Sequence, residues 1–270
     1  MDKDSWSIDS PQTIDIDSVT RLRVAVVGGR VDVLVHEEPC VRLQVSEIEG
    51  RPLRLSLENG KLTVRHGEEI SLGRAWGGSS VPDRAVLSLG VPAGLAVSLE
   101  SVSGDSLVCG CAAGVEISTV SGSLMVDDTA GALRVSTVSG EAIVRAHNGE
   151  LVAKTVTGEV TASGTLSHVR ATTVSGAMAF DLHGHPRDLA AKSVSGDVTI
   201  RVPADTAIEV NANTATGRIN LNDRRYAGLA ERVRTRLGPS GPALAVRSTS
   251  VSGTLSVFHR AEAAERPVAI

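Results

Sequence analysis

A tetrad of the form Ser/Thr, Val/Ala, Ser/Thr, Gly closes at Gly104, Gly122, Gly140, Gly158, Gly176, Gly196, Gly217 and Gly253. The first four intervals are 18 residues, and 20, 21 and 36 follow. Short alternating apolar runs flank each tetrad: Val115 and Ile117 before Gly122, Leu124 and Val126 after it. Alternation at period two is the mark of a half-buried strand. Eighteen residues cannot hold two strands and a helix, and no segment carries 3.6-residue apolar periodicity. The chain back to each new strand must therefore consist of strands and tight turns, so each repeat reads as one turn of a coil. The predicted fold class is all-β: a single-stranded parallel β-solenoid (β-helix) with coils of about 18 residues.

Within that coil the tetrad is a corner. The inward parity changes across it, and if Val120 is counted with Leu124 and Val126 the change falls between Thr119 and Val120. Each tetrad valine is then expected to point inward and stack on its neighbours. Glycine is expected for two reasons: it tolerates positive φ, and it lets stacked backbones approach closely at a bend. The final interval is twice eighteen, which implies a layer that has lost its tetrad or been replaced by an insertion.

The rest of the chain is placed on this frame as a single domain over 1–260. Residues 1–90 read as degenerate N-terminal coils and cap, with Glu58-Asn59-Gly60 as a hairpin or corner and 71–82, containing Trp76, as a loop. Regular coils occupy 91–221. An Arg-rich insertion at 222–245, read as a loop or one short helix, precedes a final coil at 246–260. Residues 261–270 read as a disordered tail.

Composition narrows the classes of function. Aromatics are 2% of residues against 41% apolar, so the core must be built of Val, Leu, Ile and Ala in regular layers. A net charge of -4 and a pI near 6.0 provide no global attraction for nucleic acid, and no run of about 20 apolar residues offers a membrane span. The acidic start, MDKDSWSIDSPQTIDID, lacks the basic and apolar regions of a secretory leader, so the expected compartment is the cytoplasm. Cys40, Cys109 and Cys111 form no disulfide framework, and Cys109-Gly-Cys111 reads as idle or buried thiols.

The order of motifs is distinctive. Trp6 precedes a strand run, Gly29 to Val33 reads G-x-V-x-V, Val91 to Gly94 reads V-P-x-G, and many T-V-S-G-x-L/V-x-V units follow. The chain thereby resembles the bacterial "putative adhesin" proteins, an uncharacterised β-strand-repeat family, over roughly residues 6 to 258. The resemblance implies a parallel β-solenoid and an adhesin-like role.

Sites of chemistry are sparse. The position after the tetrad glycine reads Asp105, Ser123, Glu141, Glu159, Ala177, Asp197, Arg218 and Thr254, so Glu141 and Glu159 fall on neighbouring coils as a candidate carboxylate pair for glycoside chemistry. A position that accepts Ser, Ala, Arg and Thr behaves as an exposed one, and no catalytic residue is assigned. His147 and His183 each lie seven residues after a tetrad glycine, His185 is close by and His168 lies on the coil between. These are the candidate ligands for a zinc or nickel ion, with unpartnered surface histidines as the plainer reading. Tetrad hydroxyls such as Thr119 and Ser121 also suggest a flat T-x-T-like array similar to ice-binding solenoid faces, although a ladder of mutual hydrogen bonds accounts for them.

The sequence therefore favours a non-catalytic scaffold or interaction module. Its expected partner is a protein, or a second copy reached through the solenoid ends, and no cofactor is expected. The alternative is a carbohydrate-active or metal-dependent enzyme of the parallel β-helix type.

Overall fold

The computed structural model describes residues 3–67 and 83–260. Burial alternates along the chain as the sequence does: positions 115, 117 and 119 are buried while Glu116 is exposed. Every regular element among the described residues is a strand, and no helix is long and apolar enough to cross a membrane. The loop expected around Trp76 and the tail from 261 lie outside the described residues.

Ahead of the regular repeat come β1 (Lys3–Ile8), β2 (Gln12–Ile16), β3 (Arg21–Val26), β4 (Gly28–His36), β5 (Val41–Glu49), β6 (Leu53–Glu58), β7 (Lys61–Arg65) and β8 (Arg84–Pro92). The repeat supplies β9 (Ala96–Ser101), β10 (Asp105–Cys109), β11 (Val115–Thr119), β12 (Leu124–Asp127), β13 (Ala130–Thr137), β14 (Ala142–Thr155), β15 (Val160–Thr173), β16 (Met178–Leu182), β17 (Asp188–Ser193) and β18 (Val198–Val202). Then follow β19 (Ala207–Thr214), β20 (Arg218–Leu221), β21 (Arg224–Ala227), β22 (Glu231–Leu237), β23 (Ala243–Ser250) and β24 (Thr254–His259).

Each layer gives one strand to each of two sheets. The first sheet runs in the order β1, β6, β7, β3, β9, β11, β13, β14, β15, β17, β23, β19, β22. The second runs β2, β5, β8, β4, β10, β12, β14, β15, β16, β18, β24, β20, β21. The long strands β14 and β15 bend and serve both. Between the sheets lies one continuous, largely aliphatic core: Ile117, Leu124, Val126, Leu133, Val135 and Val144 are all at most 1% exposed. Burying a Val or Leu contributes about 1.5–3 kcal/mol, so a core whose one fully buried aromatic residue among the described residues is Phe180 is held by aliphatic layers that repeat.

Two expectations are corrected here. Pairing is parallel only through the middle, in registers such as Ile117↔Val135, whereas β1, β2, β5, β6, β21 and β22 pair antiparallel, so the sheet is mixed. The Arg-rich segment, expected as a loop or one short helix, instead forms two strands, β21 and β22, joined by turns and folded back on β20 and β19. These antiparallel strands close the ends. Charged side chains such as Arg224, Arg225, Arg232, Arg234 and Arg236 dominate the terminal strands at one end, which guards an open edge against pairing with another chain. Asn59-Gly60 is a two-residue hairpin, with φ of 51° and 76°, joining Glu58 to Lys61.

The layers are also not stacked in chain order. After β18 the chain skips a level to make β19 and β20, and the last two strands then fill the level left open, β23 between β17 and β19 and β24 between β18 and β20. That is the physical meaning of the doubled interval before Gly253. The other end repeats the device: β3 lies between β7 and β9, and β4 between β8 and β10.

Candidate functional site

The corner is built by its first hydroxyl. Thr119, Thr137, Thr155 and Thr173 continue the inward parity of their strands and are at most 5% exposed. Thr137 Oγ1 accepts from the N–H of Gly140 at 2.9 Å and donates to its carbonyl at 3.1 Å. Thr155 and Thr173 donate to the carbonyls of Gly158 and Gly176 at 2.9 and 2.8 Å. A buried hydroxyl thus closes each bend while satisfying backbone groups that turn away from the ladder.

With threonine inside, the next two residues point out. This reverses the expected placement of the tetrad valines: Val120, Val138, Val156, Val174, Val194 and Val251 are 41–51% exposed. The parity change falls between Val and Ser, one position later than the sequence implies. One of the two reasons given for glycine is corrected as well, since no tetrad glycine has positive φ. Close approach is the reason: a Cβ on Gly140 would lie 2.1 Å from the carbonyl oxygen of Gly122, and one on Gly158 2.1 Å from that of Gly140.

The result is a ridge with two ribs. One rib is apolar, with Val102, Val120, Val138, Val156, Val174, Val194 and Val251 one layer apart. The other is made of hydroxyls, each donating to the valine carbonyl of the layer beneath: Ser121 to Val102 and Ser139 to Val120 at 3.2 Å, Thr157 to Val138 at 3.1 Å. The expected T-x-T-like array does not exist as a surface, because its first hydroxyl is in the core. Tandem exposed valines on regular strand ends are the feature that the sequence reading missed. The signal was present in the Thr-x-x-Gly spacing, which places a hydroxyl within reach of the glycine backbone only if the threonine is inside.

The remaining candidates are scattered. Glu141 and Glu159 stand exposed on adjacent layers of the second sheet, where Ala142 donates to the Glu159 carbonyl at 2.9 Å. Their equivalents Asp105 and Asp197 accept backbone N–H bonds from Ser123 and Thr254, at 3.0 and 2.7 Å.

His147 is 1% exposed, with Nδ1 2.9 Å from Thr129 Oγ1 and Nε2 3.2 Å from the Glu150 carbonyl. Burial pushes its pKa below the ordinary histidine value, against the pull of those hydrogen bonds. His183 is exposed and 3.8 Å from Asp181, which also pairs with Arg260 and, at 3.8 Å, with Arg201. His185 is exposed beside Pro186 and Arg187. His168 sits on the outer face of the first sheet, 3.9 Å from Glu150. Among the described residues no three His, Cys, Asp or Glu side chains converge as metal ligands. Burial holds the Cys111 thiol up at about 11, so it stays protonated at neutral pH.

Comparison with known proteins adds the following. The family profile described as Toastrack DUF4097 matches residues 41–257. Among curated proteins nothing matches. A Parabacteroides distasonis protein described as a "putative lipid binding protein" superposes with a TM-score of 0.55 at 13% identity, covering 96% of each chain. A Bacteroides fragilis "putative adhesin" gives 0.47 at 11% identity, over 92% of this chain and 97% of that one. A "putative adhesin" from Parabacteroides merdae gives 0.45 at 16% identity, over 92% and 95%.

Proposed function

The chain belongs to the Toastrack DUF4097 family, and from that premise we propose that it is a non-catalytic, adhesin-like interaction module, a two-sheeted β-solenoid that displays its valine and hydroxyl ridge to a protein partner. The observation that carries this reading is the exposed valine rib. Six valines, each more than two-fifths exposed and one per layer, form a continuous apolar line, whereas the other large exposed apolar residues, Trp6, Leu34 and Leu229, stand singly. Monomeric proteins rarely leave a contiguous apolar line open, and such lines mark contact surfaces. Its neighbour is a row of hydroxyls already bonded within the fold, so a partner need not strip water from unsatisfied donors to reach the valines.

The site is also rigid. Each ridge residue is held by the layer beneath and the layer above, so little order is lost on binding. The valines repeat along the rib at the spacing of neighbouring strands, roughly 4.8 Å.

The test is affinity capture from the native host with the immobilised chain, comparing wild type with the triple change Val138→Ser, Val156→Ser and Val174→Ser. The reading expects a defined set of captured proteins that the triple variant loses while its circular dichroism is unchanged. Equal capture by both would overturn the ridge, and turnover in a screen of glycosidase and lyase substrates would overturn the non-catalytic assignment. Light scattering on the purified chain distinguishes a second copy docking at the ends from a different protein.

A further inference from the structure

We propose that the outer face of the first sheet binds an acidic polysaccharide laid along the stacking direction, and that its cations are spaced to meet one anion per sugar unit. This surface is separate from the ridge and does not depend on the reading given to it.

The register brings together residues that are far apart in sequence. Arg134 pairs with Val152, Val152 with Arg170, Arg170 with Ala190, and Ala190 with Arg247, forming one column across five consecutive layers. Two residues along, the next column reads Ser136, Lys154, Thr172, Lys192, Thr249. Arg134, Lys154, Arg170, Lys192 and Arg247 therefore zigzag between two adjacent columns and provide one cation per layer without a gap. All five are exposed. Beyond β19, which has Glu209, Asn211 and Asn213 at these positions, β22 adds Arg232, Arg234 and Arg236 at the edge of the sheet.

Charge on this face is out of keeping with the chain. From β11 to β22 it carries those eight cations and four carboxylates: Glu150, Asp188 and Glu209 in the flanking column, and Glu116 opposite Arg134. The whole protein has a net charge of -4. Asp188 is engaged by Arg247, and Glu209 by Arg236 at 2.9 Å. Among the described residues no carboxylate lies within ion-pair reach of Arg134, Lys154, Arg170 or Lys192. Four adjacent unpaired cations repel one another, and an arriving anion relieves that repulsion.

Spacing and chemistry select the class of anion. Layers repeat at roughly 4.8 Å, close to the length of one pyranose unit in an extended chain, so a polyuronate or sulfated glycan meets each layer with one charge. Thr172, Thr249, Asn211 and Ser136 lie among the cations and offer hydroxyl and amide groups suited to sugar hydroxyls. A single-stranded nucleic acid would call for aromatic stacking platforms, and neither column contains an aromatic side chain.

The test is isothermal titration of the full chain with oligogalacturonate, neutral dextran and an oligonucleotide of equal charge, each at low and at high salt. Expected is binding of oligogalacturonate that weakens as salt rises and falls by about tenfold or more in the double variant Arg170→Glu with Lys192→Glu. Arg145→Glu, exposed on the second sheet, should leave it unchanged. If the double variant does not fold, Arg134→Gln with Lys154→Gln at the other end of the ladder gives the same reading. No binding at low salt, equal loss from Arg145→Glu, or tighter binding of the oligonucleotide would each overturn the proposal.

Discussion

The backbone N–H of Thr254 donates to Oδ1 of Asp197 at 2.7 Å, across 57 residues of chain. The same contact links Ser123 to Asp105 across 18 residues in the regular part. One local bond thus serves both a consecutive layer and one inserted out of order.

The first prediction follows from that insertion. Strands β19 and β20 stack on β23 and β24, not on the strands that precede them in sequence. A chain ending at Pro242 should leave β19 to β22 without a parallel neighbour and expose β17 and β18 as open edges. Amide exchange followed by mass spectrometry should show protection of 207–237 falling by about tenfold or more, with the layers from β9 to β13 little changed. Unchanged protection of β19 in the shortened chain would contradict the interleaved order.

Much of this was legible in the sequence, and the failures have one cause. The eighteen-residue period, the strands and the parity change follow from spacing alone, because any stacked layer must repeat its own core pattern. Hydrophobicity alone places the tetrad valines inside, but hydrogen bonding decides the corner: Thr137 goes inside because its hydroxyl satisfies Gly140, which leaves Val138 outside. The interleaved layers and the cation ladder were hidden for a different reason. Arg170 and Arg247 are two layers apart in space but 77 positions apart in the chain, and only the register reveals that they share a column.

Glycine at the corner is fixed by space. A Cβ at position 140 would meet the Gly122 carbonyl at 2.1 Å, and backbone cannot yield as a flexible side chain can. Gly140→Ala should therefore cost about 3 kcal/mol or more, and Gly140→Val should prevent folding of the central layers. Glu141→Ala, one residue on and exposed, should change stability by less than about 0.5 kcal/mol. Urea denaturation of the three variants checks the ranking, and an Ala variant as stable as wild type would show that the layers are not in contact there.

The inward hydroxyl makes a finer prediction. Thr155 donates to the Gly158 carbonyl at 2.9 Å, and serine plays the same part at Ser101 and Ser193. Thr155→Val keeps the shape but strands a buried carbonyl, and should cost about 1–3 kcal/mol. Thr155→Ser keeps the bond and should cost less than Thr155→Val. The opposite order in chemical denaturation would mean that packing, not the hydroxyl, holds the corner.

His147 gives the fold a pH dependence of defined sign. Burial lowers its pKa in the folded state, so below the ordinary histidine value near 6.5 the unfolded chain takes up a proton that the folded chain refuses. Stability from this group is complete above that value and declines as the pH falls towards the lowered folded value. Most carboxylates titrate lower still, so a decline that begins just below 6.5 belongs to histidine. Replacing the ring removes that proton uptake but also the contacts to Thr129 and Glu150. His147→Gln should therefore be less stable at neutral pH yet show a flatter stability profile between about pH 6.5 and 5. Urea midpoints measured across that range for both chains provide the check, and parallel slopes would assign the pH dependence to another group.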